Sequence, residues 1–150
     1  MPTTLGRTYS IDWRGNPPHM LKPDIPVWYN FLEKWGSQFL NLYYDCLLGG
    51  ISLTPEEEKD PFKKMWRITT AKRADAISET KTHTWIIEVT GDAGLRSLGQ
   101  LQTYRTLWIR DPKINKPEKC VLVCNRIAPD FLDTCGMYGI DVYAEQHTKF

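Results

Sequence analysis

The segment Trp85-Ile86-Ile87-Glu88-Val89 constrains this chain most. It is an almost continuous apolar run that stops at Gly91, the pattern of a central strand covered on both faces. Strands of that kind belong to sheets with helices packed on either side, which makes the chain α/β. The run also contains a glutamate. A carboxylate in such a strand is costly unless it is paired, hydrogen-bonded or bound to a cation, so Glu88 needs a chemical reason to be there.

The rest of the sequence supplies the layers. Cys120-Val121-Leu122-Val123-Cys124 is a second buried strand, and Ile140 to Tyr143 is a last short one. Leu42 to Leu48 reads as a strand stopped by Gly49-Gly50. Val27, Phe31, Leu32, Trp35, Phe39 and Leu40 recur at helical spacing after Asp24 and Pro26. Leu95 to Trp108 forms a helix ended near Asp111-Pro112, and Pro129 to Cys135 a short one. Phe62 to Ile77, with its β-branched threonines, suits a long strand or hairpin edge, and Thr54 to Glu58 a solvated connection closed by Asp60-Pro61. The expected order is α-β-β-β-α-β-α-β, a central mixed sheet flanked by helices. Residues 1–26, rich in proline and turn formers, read as an extended arm with apolar anchors Trp13, Met20 and Leu21; residues 27–150 form a single α/β domain. At 150 residues and 41% apolar content one core is affordable.

Net charge is +1, which gives no global attraction to nucleic acid or an anionic membrane. Cys46, Cys120, Cys124 and Cys135 form no C-x-x-C pair and read as reduced; Cys120 and Cys124 should share one buried strand face. His19, His83 and His147 lack metal-ligand spacing, so zinc is not expected. No signal peptide or membrane-spanning run is visible, so neither export nor membrane association is expected.

Asp75, in Arg73-Ala74-Asp75-Ala76-Ile77, precedes the strand that carries Glu88. If the two strands form a hairpin, both carboxylates converge on one edge of the sheet and offer hard oxygen ligands to magnesium or manganese. Taken singly, Asp75 would be satisfied by Arg73 or Arg96, and Glu88 by a basic neighbour.

Arg73-Ala74-Asp75, the run Trp85 to Thr90, and Gly99-Gln100-Leu101-Gln102-Thr103-Tyr104, in this order of elements, resemble the PD-(D/E)XK nuclease superfamily. Gln100-x-x-x-Tyr104 is similar to the motif that follows the catalytic strand in its exonuclease-like branch. Together with Lys22 to Asp45, the pattern looks like small nuclease-like proteins of tailed phages, over roughly residues 22–144. The resemblance implies a restriction-endonuclease-like fold, Asp75 and Glu88 as ligands of Mg or Mn, and Gln100 and Tyr104 facing the cleft. Glu33 is either the additional acidic residue of the first helix or a solvated glutamate. The family places a lysine two residues beyond Glu88, where this chain has Thr90; a hydroxyl cannot replace that charge. Lys72 or Lys81 would have to reach in from the neighbouring strand.

Three functions follow from the resemblance. One is magnesium-dependent DNA hydrolysis. Another is an inactive nuclease fold built into a phage particle as a neck, connector or head-tail part, contacting virion proteins through the N-terminal arm. The third is DNA binding without catalysis. The expected location is the host cytoplasm or the assembled virion. Lys63, Lys64, Arg67, Lys72 and Arg73, with Trp66 interleaved and no acidic residue among them, form a local basic patch for phosphates; Arg96, Arg105 and Arg110 would extend it. A lysine-protected strand edge accounts for part of the same pattern.

Overall fold

The computed structural model describes residues 3–147. Helix α1 (Asp24–Trp35) is followed by β1 (Asn41–Leu48), α2 (Pro61–Thr70), β2 (Lys72–Glu79) and β3 (Thr84–Asp92). Then come α3 (Leu95–Arg110), β4 (Glu118–Ile127), α4 (Pro129–Met137) and β5 (Ile140–His147). The five strands form one sheet in the order β1-β2-β3-β4-β5. β1, β2 and β3 are an antiparallel meander, and β4 and β5 join parallel to β3. The chain is thus α/β, with a mixed sheet flanked by helices.

Each face of the sheet carries its own core. Ile86, Leu122, Cys120 and Cys124 pack with Leu101, Tyr104 and Trp108 of α3 and Phe131 and Cys135 of α4. Ile87, Val89, Val121 and Val123 pack with Val27, Trp28, Phe31 and Leu32 of α1. The strict alternation along β4 puts Cys120 and Cys124 on one face, as their spacing predicts, and all four cysteines are buried free thiols.

Three expectations need correcting. The span from Phe62 to Ile77 is a helix followed by a strand. Asp60-Pro61, read as an end, is a helix start: the Asp60 side chain accepts the Phe62 N–H at 2.9 Å and proline occupies the first turn. The threonines that suggested a strand are satisfied within the helix, Thr69 Oγ1 donating to the Met65 carbonyl at 2.7 Å. The second correction concerns the first helix, which begins at Asp24, inside the span assigned to the arm. Pro26 is tolerated there because first-turn N–H groups have no intrahelical partner. That helix also ends earlier than its apolar spacing suggests: Phe39 and Leu40 lie beyond Gly36 and the 3₁₀ turn Gly36–Gln38.

The arm packs on its own domain. Thr4 bridges to Leu47, and Tyr9 N–H donates to the Leu42 carbonyl at 2.8 Å, so the arm covers the free edge of β1. Tyr9, Ile11, Trp13 and Met20 join the α1-side core, whereas Leu21 is exposed. Among the described residues no helix is long and apolar enough to cross a membrane.

Candidate metal centre

The meander changes sense at two aspartates. On β1, Leu42 and Tyr44 belong to the α1-side core but Cys46 and Leu48 to the α3-side core; on β2, Ala74 faces α3 and Ala76 faces α1. Alternation therefore breaks at Asp45 and Asp75, and Asp45 has a left-handed backbone with φ 51°. The β2–β3 ladder ends at Ala76↔Ile87. Asp75 and Glu88 are the next residues along, where the two strands part. Freed from the ladder, the Asp75 side chain accepts the Val89 N–H at 2.7 Å.

Glu88 projects toward α3, with the Asp75 carboxyl and the Tyr104 hydroxyl both close enough to act on its charge. It is only 8% exposed, and among the described residues its Oε2 is one of four buried side-chain oxygens without a hydrogen-bond partner, the others being hydroxyls. Burial, and then the neighbouring Asp75 charge, hold Glu88 well above the usual carboxylate range. Burial also raises Asp75, against the stabilising Val89 N–H. Two half-desolvated acids thus resist ionising together, the condition a divalent cation relieves.

A third carboxylate joins them that sequence reasoning did not single out as a site residue. Asp24 at the start of α1 accepts the Gly91 N–H at 3.1 Å, and its charge reaches both Asp75 and Glu88. Burial raises its proton affinity too. Glu33, read from the sequence as either an additional acid of this helix or a solvated glutamate, is exposed between two and three turns further on. No three His, Cys, Asp or Glu side chains among the described residues converge into a ready cage; the centre is a carboxylate pair with Asp24 at its rim. The donor chemistry fits Mg²⁺ or Mn²⁺, because it is all oxygen and includes one buried oxygen without a partner. It does not fit zinc.

The remaining predicted residues are distributed unevenly. Tyr104 is buried on the α3 face and Gln100, half-buried, lies one turn before it. Arg96 in the first turn of α3 has its charge felt at the Tyr104 hydroxyl, so it does stand near the site. Thr90, where the family has lysine, makes a long 3.4 Å contact to the Asp92 carbonyl. Lys72 is exposed at the start of β2. Lys81 lies in the turn at the other end of the hairpin, roughly 20 Å along the strand from Asp75, and cannot supply the missing charge.

The expected basic patch is divided between two elements, and at least two of its five cations are paired with acids. Lys63, Lys64 and Arg67 are on α2, Lys72 and Arg73 on β2. Lys63 pairs with Glu57 at 3.1 Å, and Arg73 is held by Asp45 at 2.6 Å, beside His19. Lys64 and Arg67 line a small cavity with Glu58. Arg105 is tied to Glu118 at 2.9 Å, and Arg110 lies roughly 20 Å along α3 from Arg96. A larger groove of about 360 Å³ between α1 and β5 contains none of the three carboxylates.

No family model matches the chain, and no curated protein or solved structure matches it.

Proposed function

We propose that this chain is a nuclease-fold protein of the PD-(D/E)XK type, whose Asp75–Glu88 pair binds Mg²⁺ or Mn²⁺ and which hydrolyses DNA phosphodiesters. The observation that carries the reading is the convergence of Asp75 and Glu88 where β2 and β3 part, with Glu88 Oε2 buried and unpartnered. Helix α1, the β1-β2-β3 meander, α3 and a parallel β4 supply the order of elements that such a fold uses.

Within this reading the chain's own groups divide the work. Asp75 and Glu88 provide the anionic oxygens, and the Val89 N–H fixes the Asp75 carboxyl in one orientation. A cation held there would polarise a phosphoryl group and acidify a water molecule. Tyr104 orients Glu88, and Gln100, one turn earlier, faces the substrate side. Arg96 supplies the positive charge near the phosphate that Thr90 does not. The expected result is cleavage of linear DNA that requires Mg²⁺ or Mn²⁺, disappears in Asp75→Ala, and rises about tenfold or more in Thr90→Lys. Metal-dependent cleavage surviving in Asp75→Ala would refute the assignment.

Thr90 favours a second reading: a nuclease fold without catalysis, kept as a component of a phage particle. It predicts co-purification with virion proteins and no cleavage even in Thr90→Lys.

A further inference from the structure

Among the described residues only two that are not glycine have a positive φ, His19 at 60° and Asp45 at 51°, and their side chains meet. His19 has an ordinary reason for it. It is the third residue of the turn Pro17–Met20, closed by the Met20 N–H on the Pro17 carbonyl at 3.1 Å, and after a proline that position suits a left-handed backbone. Asp45 has no turn to explain it, because it lies inside β1. A left-handed residue within a strand is strained, and such strain persists only where the surroundings impose it.

Those surroundings adjoin the metal centre. The β1–β2 pairing runs from Asn41↔Glu79 to Leu48↔Lys72 with a gap at Asp45 and Asp75, and the register is the same on both sides of the gap. No residue is inserted; the two strands turn over together. Buried Tyr44 and Ala76 face α1, whereas buried Cys46 and Ala74 face α3. Of the facing pair only Asp45 is left-handed, so the turn-over originates on β1 and β2 follows it. The Asp45 carboxylate is clamped from two other segments: Arg73 Nη1 donates to Oδ2 at 2.6 Å, and His19 Nε2 lies 3.5 Å from the same oxygen.

We propose that Asp45 is a positioning residue for Asp75, and that its left-handed backbone, rather than its charge, is what acts. In a continued β2–β3 ladder Val89 would face Ala74, two positions beyond Ala76↔Ile87. The turn-over of β2 takes Ala74 out of that line, and the Asp75 carboxylate receives the Val89 N–H instead, at 2.7 Å. That bond fixes the carboxylate beside Glu88. The part Asp75 plays toward a cation rests on the metal-centre reading above; the way Asp45 orients it does not.

Two readouts on the full chain test it: the Val89 amide in metal-free protein, by NMR shift and hydrogen exchange, and the affinity for Mn²⁺, by calorimetry. Asp45→Gly removes the carboxylate but adopts a positive φ freely, and Asp45→Asn keeps the shape and tolerates that conformation. Both should retain the Val89 hydrogen bond and the parent's affinity. Asp45→Val, whose β-branched side chain resists the left-handed region, should straighten β1. Its Val89 amide should shift upfield and exchange faster, and Mn²⁺ should bind roughly 10- to 100-fold more weakly, as when a ligand loses its supporting contacts. If Asp45→Val does not fold, Asp45→Ala makes the same test, because alanine also disfavours a left-handed backbone. A Val89 amide undisturbed in folded Asp45→Val or Asp45→Ala would overturn the proposal. So would loss of its hydrogen bond in Asp45→Gly, which would make the carboxylate the active element. The Val89 signal decides the matter without metal; a parent that takes up no Mn²⁺ would remove the metal reading alone.

Discussion

Glu88 is where the fold and the proposed chemistry oppose each other. Its proton affinity is raised in the folded state, chiefly by burial and then by Asp75. The folded protein therefore holds a proton that the unfolded chain releases near the ordinary value of 4.5. Below that value the group costs no stability. As pH rises from 4.5 toward the elevated folded value, the unfolded state is progressively favoured. Glu88→Gln removes this burden, and should raise the metal-free protein's stability by about 1–3 kcal/mol at neutral to alkaline pH while changing little near pH 4. Urea unfolding at several pH values checks this. Equal stabilisation at every pH would show that Glu88 does not titrate in the folded state in this way. Glu88 announced itself in the sequence because it interrupts an apolar run. Asp24 did not, because its part depends on the N–H of Gly91, 67 positions away, and locally it resembles an ordinary first-turn helix acid.

At the scale of elements, the two central strands and α3 were legible because burial on both faces and a 16-residue amphipathic period are strong signals. Helix α2 was misread because its apolar residues point to solvent, so no core explained their spacing, while Asp60-Pro61 suits a stop or a start equally. The kink at Asp45 and Asp75 was also invisible, since it is a property of a strand pair and neither segment alone shows it. Because α2 is held by its cap rather than by burial, Asp60→Ala should cost about 1 kcal/mol of local helix stability. Amide exchange should quicken across Pro61–Thr70 while the global melting temperature hardly moves. A global melting shift of several degrees would mean that α2 is integrated into the core. The basic patch shows a related effect: the sequence presents the cations of 63–73 as a run free of acids, but the fold brings Glu57 to Lys63 and Asp45 to Arg73.

For the whole molecule, the meander brings the two carboxylates together mid-strand on the interior strands β2 and β3, rather than at an edge of the sheet, and the arm secures the outer strand of the same meander. Trp13 packs against Tyr9 and Tyr44 at centroid distances of 4.8 and 6.0 Å. Trp13→Ala should therefore destabilise the domain by about 2 kcal/mol, less than a fully buried tryptophan would. Differential scanning calorimetry should show one transition at lower temperature; an unchanged transition would detach the arm from the fold. The central claim is that the parting of β2 and β3 builds a cation site, and calorimetric titration of Mn²⁺ tests it most directly. The account predicts one site in the parent, tighter as pH rises because the cation displaces a proton, and lost in both Asp75→Asn and Glu88→Gln. Binding that survives both substitutions, or a parent that takes up no Mn²⁺ at any pH, would contradict it.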